Sequence, residues 1–228
     1  MKTHKQKNAL ALFAKAPIAG TVKTRLQPQI TPVNSALLQE ALIKDTINKM
    51  ISKNNLDKFV YFWPAEQKNM FENFIGGLPI QLCCQSGKNL GEKMAQAFQD
   101  LFDKRFHKVV IIGTDSPTLP AHYIIKAFEK LNKSEIVIGP SADGGYYLIG
   151  LKEKVCPVFS SIEWGTSKVL SQTEKLIKEN NVSLSLLPVH YDIDTIDDLY
   201  FLKTHLRLLS RSGEELPVHT ERILGKIF

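Results

Sequence analysis

The stretch KVVIIGTDSPTLP, Lys108 to Pro120, decides the fold. Val109 to Ile112 is continuously apolar, without the polar alternation of a strand that is wet on one side. That is the pattern of a strand crossing the centre of a sheet covered on both faces. Asp115 stands just beyond the run, where open α/β sheets gather their ligands at the carboxyl ends of their strands. A carboxylate at that edge is well placed to hold Mg²⁺ or Mn²⁺ against phosphate oxygens, because hard cations prefer oxygen donors. Asp115 or Ser116 can equally cap the turn and the helix that Pro120 opens.

Outward from this strand, apolar runs alternate with helical patterns. Toward the N-terminus the expected strands are Ala9 to Ala14, Phe59 to Trp63 and Ile80 to Cys84. The helices between them start at Thr31, an N-cap followed by Pro32, and then cover about Met70 to Ile75 and Leu90 to Phe102. The first helix would bury Leu37, Leu38, Ala41, Leu42 and Met50. Toward the C-terminus come a helix from Ala121 to Leu131 with Phe128 and Leu131 in the core, then strands Ile136 to Ile138 and Tyr146 to Leu151 around the turn SADGG. A helix near Val169 to Ile177, a strand near Leu184 to Pro188 and a helix through Leu199 to Leu209 follow. The tail 210–228 has a weak helix signal after Thr220 and reads as a packed end or a homodimer contact. The alternation predicts a mostly parallel sheet with helices on both faces, in one domain over 1–228.

Composition narrows the function classes. At 228 residues and 43% hydrophobic, the chain can bury a large core. The three cysteines, Cys83, Cys84 and Cys156, lack C-x-x-C spacing and nearby histidine partners, so free thiols and a cytoplasmic location are expected. The start MKTHKQKNALALFAKAPIAG imitates a signal peptide, but Lys15 interrupts its apolar core, and no stretch is long enough for a membrane span. MKTHKQK reads as a solvated arm. The formal charge of +6 comes mostly from scattered Lys rather than an Arg/aromatic block, so nucleic acid is not an expected partner. The six histidines have no paired spacing, and none is assigned to catalysis or metal. Trp63 reads as packing.

Three further polar clusters follow apolar strands. KAPIAGTVKTRL, Lys15 to Leu26, brings Gly20, Lys23 and Arg25 into one turn, but Val22 and Pro17 stand where a Walker loop needs its glycines. ADGGYYLIGL, Ala142 to Leu151, carries Asp143 before two glycines, a pattern that serves a ligand or a plain hairpin turn. In DIDTIDDL, Asp192 to Leu199, Thr195 and Asp198 have capping-box spacing. Asp192 and Asp194 alternate there, so both can face one side, where they would repel unless a cation is shared.

Together with QSGKNLGEKM (Gln85 to Met94) and IEWGTSKV (Ile162 to Val169), these blocks run in order from Phe13 to Leu199. The chain resembles the nucleotide-diphospho-sugar transferase superfamily, of glycosyltransferase-A fold. Within it the chain is similar to a bacterial branch related to the 2-phospho-lactate guanylyltransferases. The resemblance implies a three-layer α/β/α fold with a mostly parallel mixed sheet. It implies nucleotide phosphates gripped by Lys15, Gly20, Lys23 and Arg25, with Lys23 and Arg25 also serving catalysis. Gly87, Asn89 and Gly91, with Glu92 nearby, would approach base and ribose. Asp115 and Asp194 would hold Mg²⁺ or Mn²⁺. Asp143, Gly144, Gly145, Trp164 and Thr166 would border a small-molecule acceptor, with Asp143 as a base for an acceptor hydroxyl.

The leading expectation is a metal-dependent glycosyltransferase with a nucleoside diphosphate-sugar donor. The alternatives are a nucleotidyltransferase that joins a nucleoside triphosphate to a phosphorylated small molecule and releases pyrophosphate, and a non-catalytic nucleotide-binding relative. Two departures separate this chain from its relatives: one carboxylate in Thr114-Asp115-Ser116 where glycosyltransferases of this fold often carry a pair, and a first loop poorer in glycine than nucleotidyltransferases use.

Overall fold

The computed structural model describes residues 7–53 and 55–228; the arm expected over MKTHKQK lies outside them except for Lys7. Seven strands form one sheet: β1 (Asn8–Lys15), β2 (Asp57–Trp63), β3 (Ile80–Cys84), β4 (Lys108–Ile112), β5 (Ile136–Pro140), β6 (Tyr146–Lys152) and β7 (Leu184–Leu186). Their order is β3-β2-β1-β4-β6-β5-β7. β6 runs antiparallel to both of its neighbours, and every other pairing is parallel. The carboxyl ends of β1, β2, β3 and β4 therefore share one edge with the start of β6.

The alternation within each strand sets the layers. Leu10 and Leu12 of β1 face one side with Val60, Val110 and Ile112. There they meet α1 (Pro32–Ile51), α2 (Lys68–Ile75) and α4 (Ala121–Lys130) through Ile43, Ile47, Phe71, Ile124 and Phe128. Ala9 and Ala11 face the other side, which α3 (Leu90–Asp103) and α5 (Val169–Glu179) cover through Met94, Phe98, Leu101 and Ile177. Each fully buried Leu, Ile or Phe contributes roughly 2 kcal/mol, so these two apolar sheets of contacts dominate the fold. Phe128 and Leu131 are buried as expected. Leu37 is not: it is 39% exposed, because it sits about 100° round the helix from Leu38, whose stripe through Ala41, Leu42 and Asp45 makes the buried face.

The tail forms α7 (Val218–Ile227), starting earlier than its signal predicted. Leu224 joins Leu38 and Leu42 of α1 and Leu199, Leu202 and Leu206 of α6 (Ile196–Ser212) in a third apolar cluster. Pro217 gives α7 no side-chain cap of its own. Asp45 of α1 supplies one from a distance, accepting from the amides of His219 and Thr220 and from Thr220 Oγ1 at 3.0, 2.7 and 2.7 Å. Both carboxylate oxygens are buried in that work, and their loss orphans three donors. Asp45→Ala should therefore lower the urea-unfolding free energy by about 2–4 kcal/mol and make the 213–228 tail sensitive to limited proteolysis, with Asp45→Asn intermediate.

Candidate active site

The sheet edge opens into a cleft of about 530 Å³ lined by Lys15, Lys23, Arg25, Trp63, Asn89, Lys93, Asp115 and Asp194, among others. Its first wall is the loop after β1. Gly20 turns the chain at φ 81°, a left-handed conformation that glycine adopts without strain. Lys15 Nζ ties the loop down by donating to the Thr21 carbonyl at 2.7 Å. Lys23 follows with φ 47°, a left-handed conformation that costs a non-glycine residue energy and aims its side chain inward.

Lys23 is the centre of the site. Its Nζ lies 2.6 Å from Asp115 Oδ1 and 3.2 Å from Asp194 Oδ1, and donates to the Ile193 carbonyl. The side chain is only 4% exposed. Burial alone would lower its pKa, but the two carboxylates outweigh burial and hold it above its ordinary value. Arg25, largely exposed, reaches Asp194 Oδ2 at 3.4 Å and the Gly165 carbonyl at 3.5 Å, which brings the IEWGT loop to the rim of the cleft. Asp115 is steadied from behind: Gln39 Nε2 donates to Thr114 Oγ1 at 3.2 Å, and Thr114 Oγ1 donates to Asp115 Oδ1 at 3.1 Å.

The opposite wall is the start of α3. Asn89 is its N-cap and accepts from the Glu92 amide at 3.0 Å, while Glu92 accepts from the Lys88 amide at 2.8 Å. Asn89 lines the cleft, but Glu92 is spent on the cap. Gly87 has φ 137°, and a Cβ there would meet the Lys93 amide at 2.7 Å. Gly91 is buried where a Cβ would strike the Trp164 indole at 2.7 Å. Gly20, Gly87, Gly91, Asp143, Gly144, Gly145, Trp164 and Thr166 do not line the cleft. Asp143 accepts from the Gly145 amide at 2.9 Å in the β5–β6 hairpin, and Thr166 donates to the Glu163 carbonyl at 2.7 Å. Tyr146, the next residue after that hairpin turn, does line the cleft and packs edge-on to Trp164.

Two sequence readings need correction. Asp192 and Asp194 do not face one cation. The segment from Tyr191 to Asp194 has no regular secondary structure, so strand alternation does not apply to it. Asp194 turns to Lys23 and Arg25, whereas Asp192 accepts from Ser116 Oγ and, at 2.6 Å, from Ser141 Oγ. Trp63 is not packing alone: it is 41% exposed, lines the cleft and lies 3.9 Å from Lys93 Nζ measured at the ring centre. Parallel pairing sets it opposite Lys15 on the neighbouring strand.

The donor chemistry fits a divalent cation. Among the described residues no cluster of three or more His, Cys, Asp or Glu forms; two carboxylates, Asp115 and Asp194, line the cleft with the Lys23 ammonium between them. Mg²⁺ is commonly held by one or two carboxylates, with substrate phosphates and water completing its shell. Asp115 Oδ2 takes part in no hydrogen bond or ion pair among the described residues.

The three-layer architecture with its mostly parallel mixed sheet is that of the nucleotide-diphospho-sugar transferases. The chain belongs to the family described as "Uncharacterized protein conserved in bacteria (DUF2064)", whose model matches residues 46–166. It is similar to a 2-phospho-L-lactate guanylyltransferase of Methanocaldococcus vulcanius, 26% identical over 190 residues that cover 83% of this chain and 82% of the relative. A Desulfovibrio desulfuricans protein assigned to the nucleotide-diphospho-sugar transferases superposes with a TM-score of 0.85 at 29% identity, over 97% of this chain and 95% of that one. The fold also matches 4-diphosphocytidyl-2C-methyl-D-erythritol synthase of Anaerococcus prevotii, with a TM-score of 0.60 at 11% identity over 88% and 96% of the two chains.

Asp192 gives the site a pH signature. Burial, partly offset by the two serine hydroxyls, pushes its pKa up to about 6 from an ordinary 3.8. A carboxyl whose folded pKa is raised contributes stability in full below about pH 4, and that contribution is lost as pH rises through 6. Wild type should lose roughly 2 kcal/mol relative to Asp192→Asn between pH 4 and 7, measured by urea unfolding across that range.

Proposed function

We propose that the protein is a nucleotidyltransferase that joins a nucleoside triphosphate to a phosphorylated small molecule and releases pyrophosphate. The observation that carries this reading is the convergence of Lys15, Lys23 and Arg25 with Asp115 and Asp194 on one cleft. With Lys93, four cations line the cleft, which suits the phosphates of a nucleotide. The likeness over most of the chain to a guanylyltransferase supports nucleotidyl over glycosyl transfer and makes GTP the first donor to test. The single carboxylate of Thr114-Asp115-Ser116 points the same way.

In this reading Lys23 and Arg25 neutralise the phosphates, and the exposed indole of Trp63 offers a stacking face to the base. Mg²⁺ or Mn²⁺ held by Asp115 and Asp194 would stabilise charge on the triphosphate oxygens. A phosphate oxygen of the acceptor forms the new bond to the α-phosphorus, and the bond from that phosphorus to the α,β-bridging oxygen breaks, so pyrophosphate leaves with the electron pair. That nucleophile is already anionic at neutral pH and needs no base. The Asp143 carboxylate, engaged with the Gly145 amide, is free to stay structural.

Pyrophosphate release, followed with each of the four nucleoside triphosphates against a panel of phosphorylated hydroxy acids and sugars, should give signal with at least one pair. Asp115→Asn should then cut kcat/KM by about 10²–10³-fold. Sugar transfer from a diphosphate-sugar without pyrophosphate would overturn the reading.

Lys23 occupies the space between the two carboxylates, so it competes with a divalent cation until phosphates draw it away. Lys23→Met should bind Mn²⁺ at least about tenfold more tightly than wild type in the absence of nucleotide, as read by electron paramagnetic resonance of free Mn²⁺. Equal affinities would show that the carboxylate pair is not the cation site.

A further inference from the structure

The cations that line the cleft are held in different ways. Lys23 sits between Asp115 and Asp194, and Arg25 reaches Asp194 as well. These two are the carboxylates of the cleft lining, and among the described residues neither pairs with Lys93. Lys15 donates to the Thr21 carbonyl. The ammonium of Lys93, from the first turn of α3, forms no hydrogen bond or ion pair among the described residues; it rests over the Trp63 indole, 3.9 Å from the ring centre.

We propose, resting on the reading of the cleft as a nucleoside triphosphate site, that Lys93 is a nucleotide-binding residue that trades the face of Trp63 for the nucleotide's phosphates and thereby frees that face for the base. Strand alternation brings the partners together. Ala9 and Ala11 of β1 and Phe59 and Tyr61 of β2 face α3, and the same alternation carries Lys15 and Trp63 to that side, level with each other in the register. Glu92, next to Lys93 in sequence, is spent on the Lys88 amide and the Asn89 side chain. Cys84 is nearby, but burial, with Glu66 adding to it, raises its pKa, so at neutral pH it is an uncharged thiol. Glu66 itself is not among the charges that act on Lys93.

An aromatic face is thus the partner left to this ammonium. Burial lowers the pKa of Lys93, and the Lys15 ammonium adds to that. The ring attracts the cation through the quadrupole of its face, a weaker pull than the formal charge of a phosphate. A triphosphate entering beside Lys15 therefore draws Lys93 off the ring. An ammonium 3.9 Å above the ring centre also fills the place where a base would stack, so base and ammonium exclude each other there. Phosphate binding then opens the position that the base takes.

Fluorine-19 spectra of the full-length protein labelled with 5-fluorotryptophan test this. The chain has two tryptophans, so two signals appear, and Trp63→Phe assigns them. Inorganic tripolyphosphate, which has no ring to stack, is titrated with Mg²⁺ at constant ionic strength against a sodium chloride control, and the four nucleoside triphosphates follow. Tripolyphosphate should move the Trp63 signal saturably. In Lys93→Met that signal should start at a shifted position, and the affinity for tripolyphosphate should fall at least about tenfold, with Lys93→Arg near wild type. A Trp63 signal that a nucleoside triphosphate moves and tripolyphosphate does not means that the base stacks with Lys93 in place, which overturns the proposal while the nucleotide reading stands. A tripolyphosphate response unchanged in a folded Lys93→Met overturns it as well. No movement with tripolyphosphate or with any nucleoside triphosphate overturns the proposal and the nucleotide reading together.

Discussion

A single buried ammonium ties this structure's working edge together. Lys23 comes from the loop after β1, Asp115 from the end of β4, and Asp194 and the Ile193 carbonyl from the segment that follows β7. Those pieces are far apart in sequence, and beneath the charges Leu26 and Ile193 meet in the third apolar cluster. Without the charge at their centre, two carboxylates would be left with no shared counter-charge. With it, both carboxylates are held against one ammonium. Stability and readiness for a charged ligand therefore rest on the same contacts, so the resting site is already organised around positive charge.

The layers of the fold were legible in the sequence because they depend on local patterns. Ile80 to Cys84 is read as a strand from its apolar run and is one. Thr31 before Pro32, and Thr195 before Asp198, announce helix starts that the structure contains. Lys15, Lys23, Arg25, Asn89, Asp115 and Asp194 were also legible, because each stands just past a strand or just before a helix. What escaped was whatever depends on register between distant elements. Trp63 joins the cleft because β2 pairs in parallel with β1 and ends level with Lys15. Asp192 was misplaced because alternation was assumed for a stretch that is not a strand. Gly91 looked like a ligand contact, yet its missing side chain makes room for Trp164.

The hydroxyls of Ser116 and Ser141 show how the two cavities come to share a frame. Both bind Asp192, which fixes the segment that also carries His190, a residue lining a second cavity between α1, α4 and α6. Adjacent residues of one irregular segment thus serve opposite sides, and neither side can be repacked without moving the other. The energetic cost of holding Asp192 in a poorly solvated place makes sense as the cost of that shared frame.

The reversed direction of β6 has a wider consequence. It starts where β4 and β5 end, so Tyr146 reaches the working edge from the far half of the sheet, while the basic loop, Trp63 and α3 come from the near half. The two halves of the sheet thus contribute separate stretches of chain to one cleft. For the proposed nucleotidyl transfer, such a layout would let the half that carries Tyr146 change its substrate contacts while the half that carries Lys23 keeps its own, which would give one scaffold a route to many products.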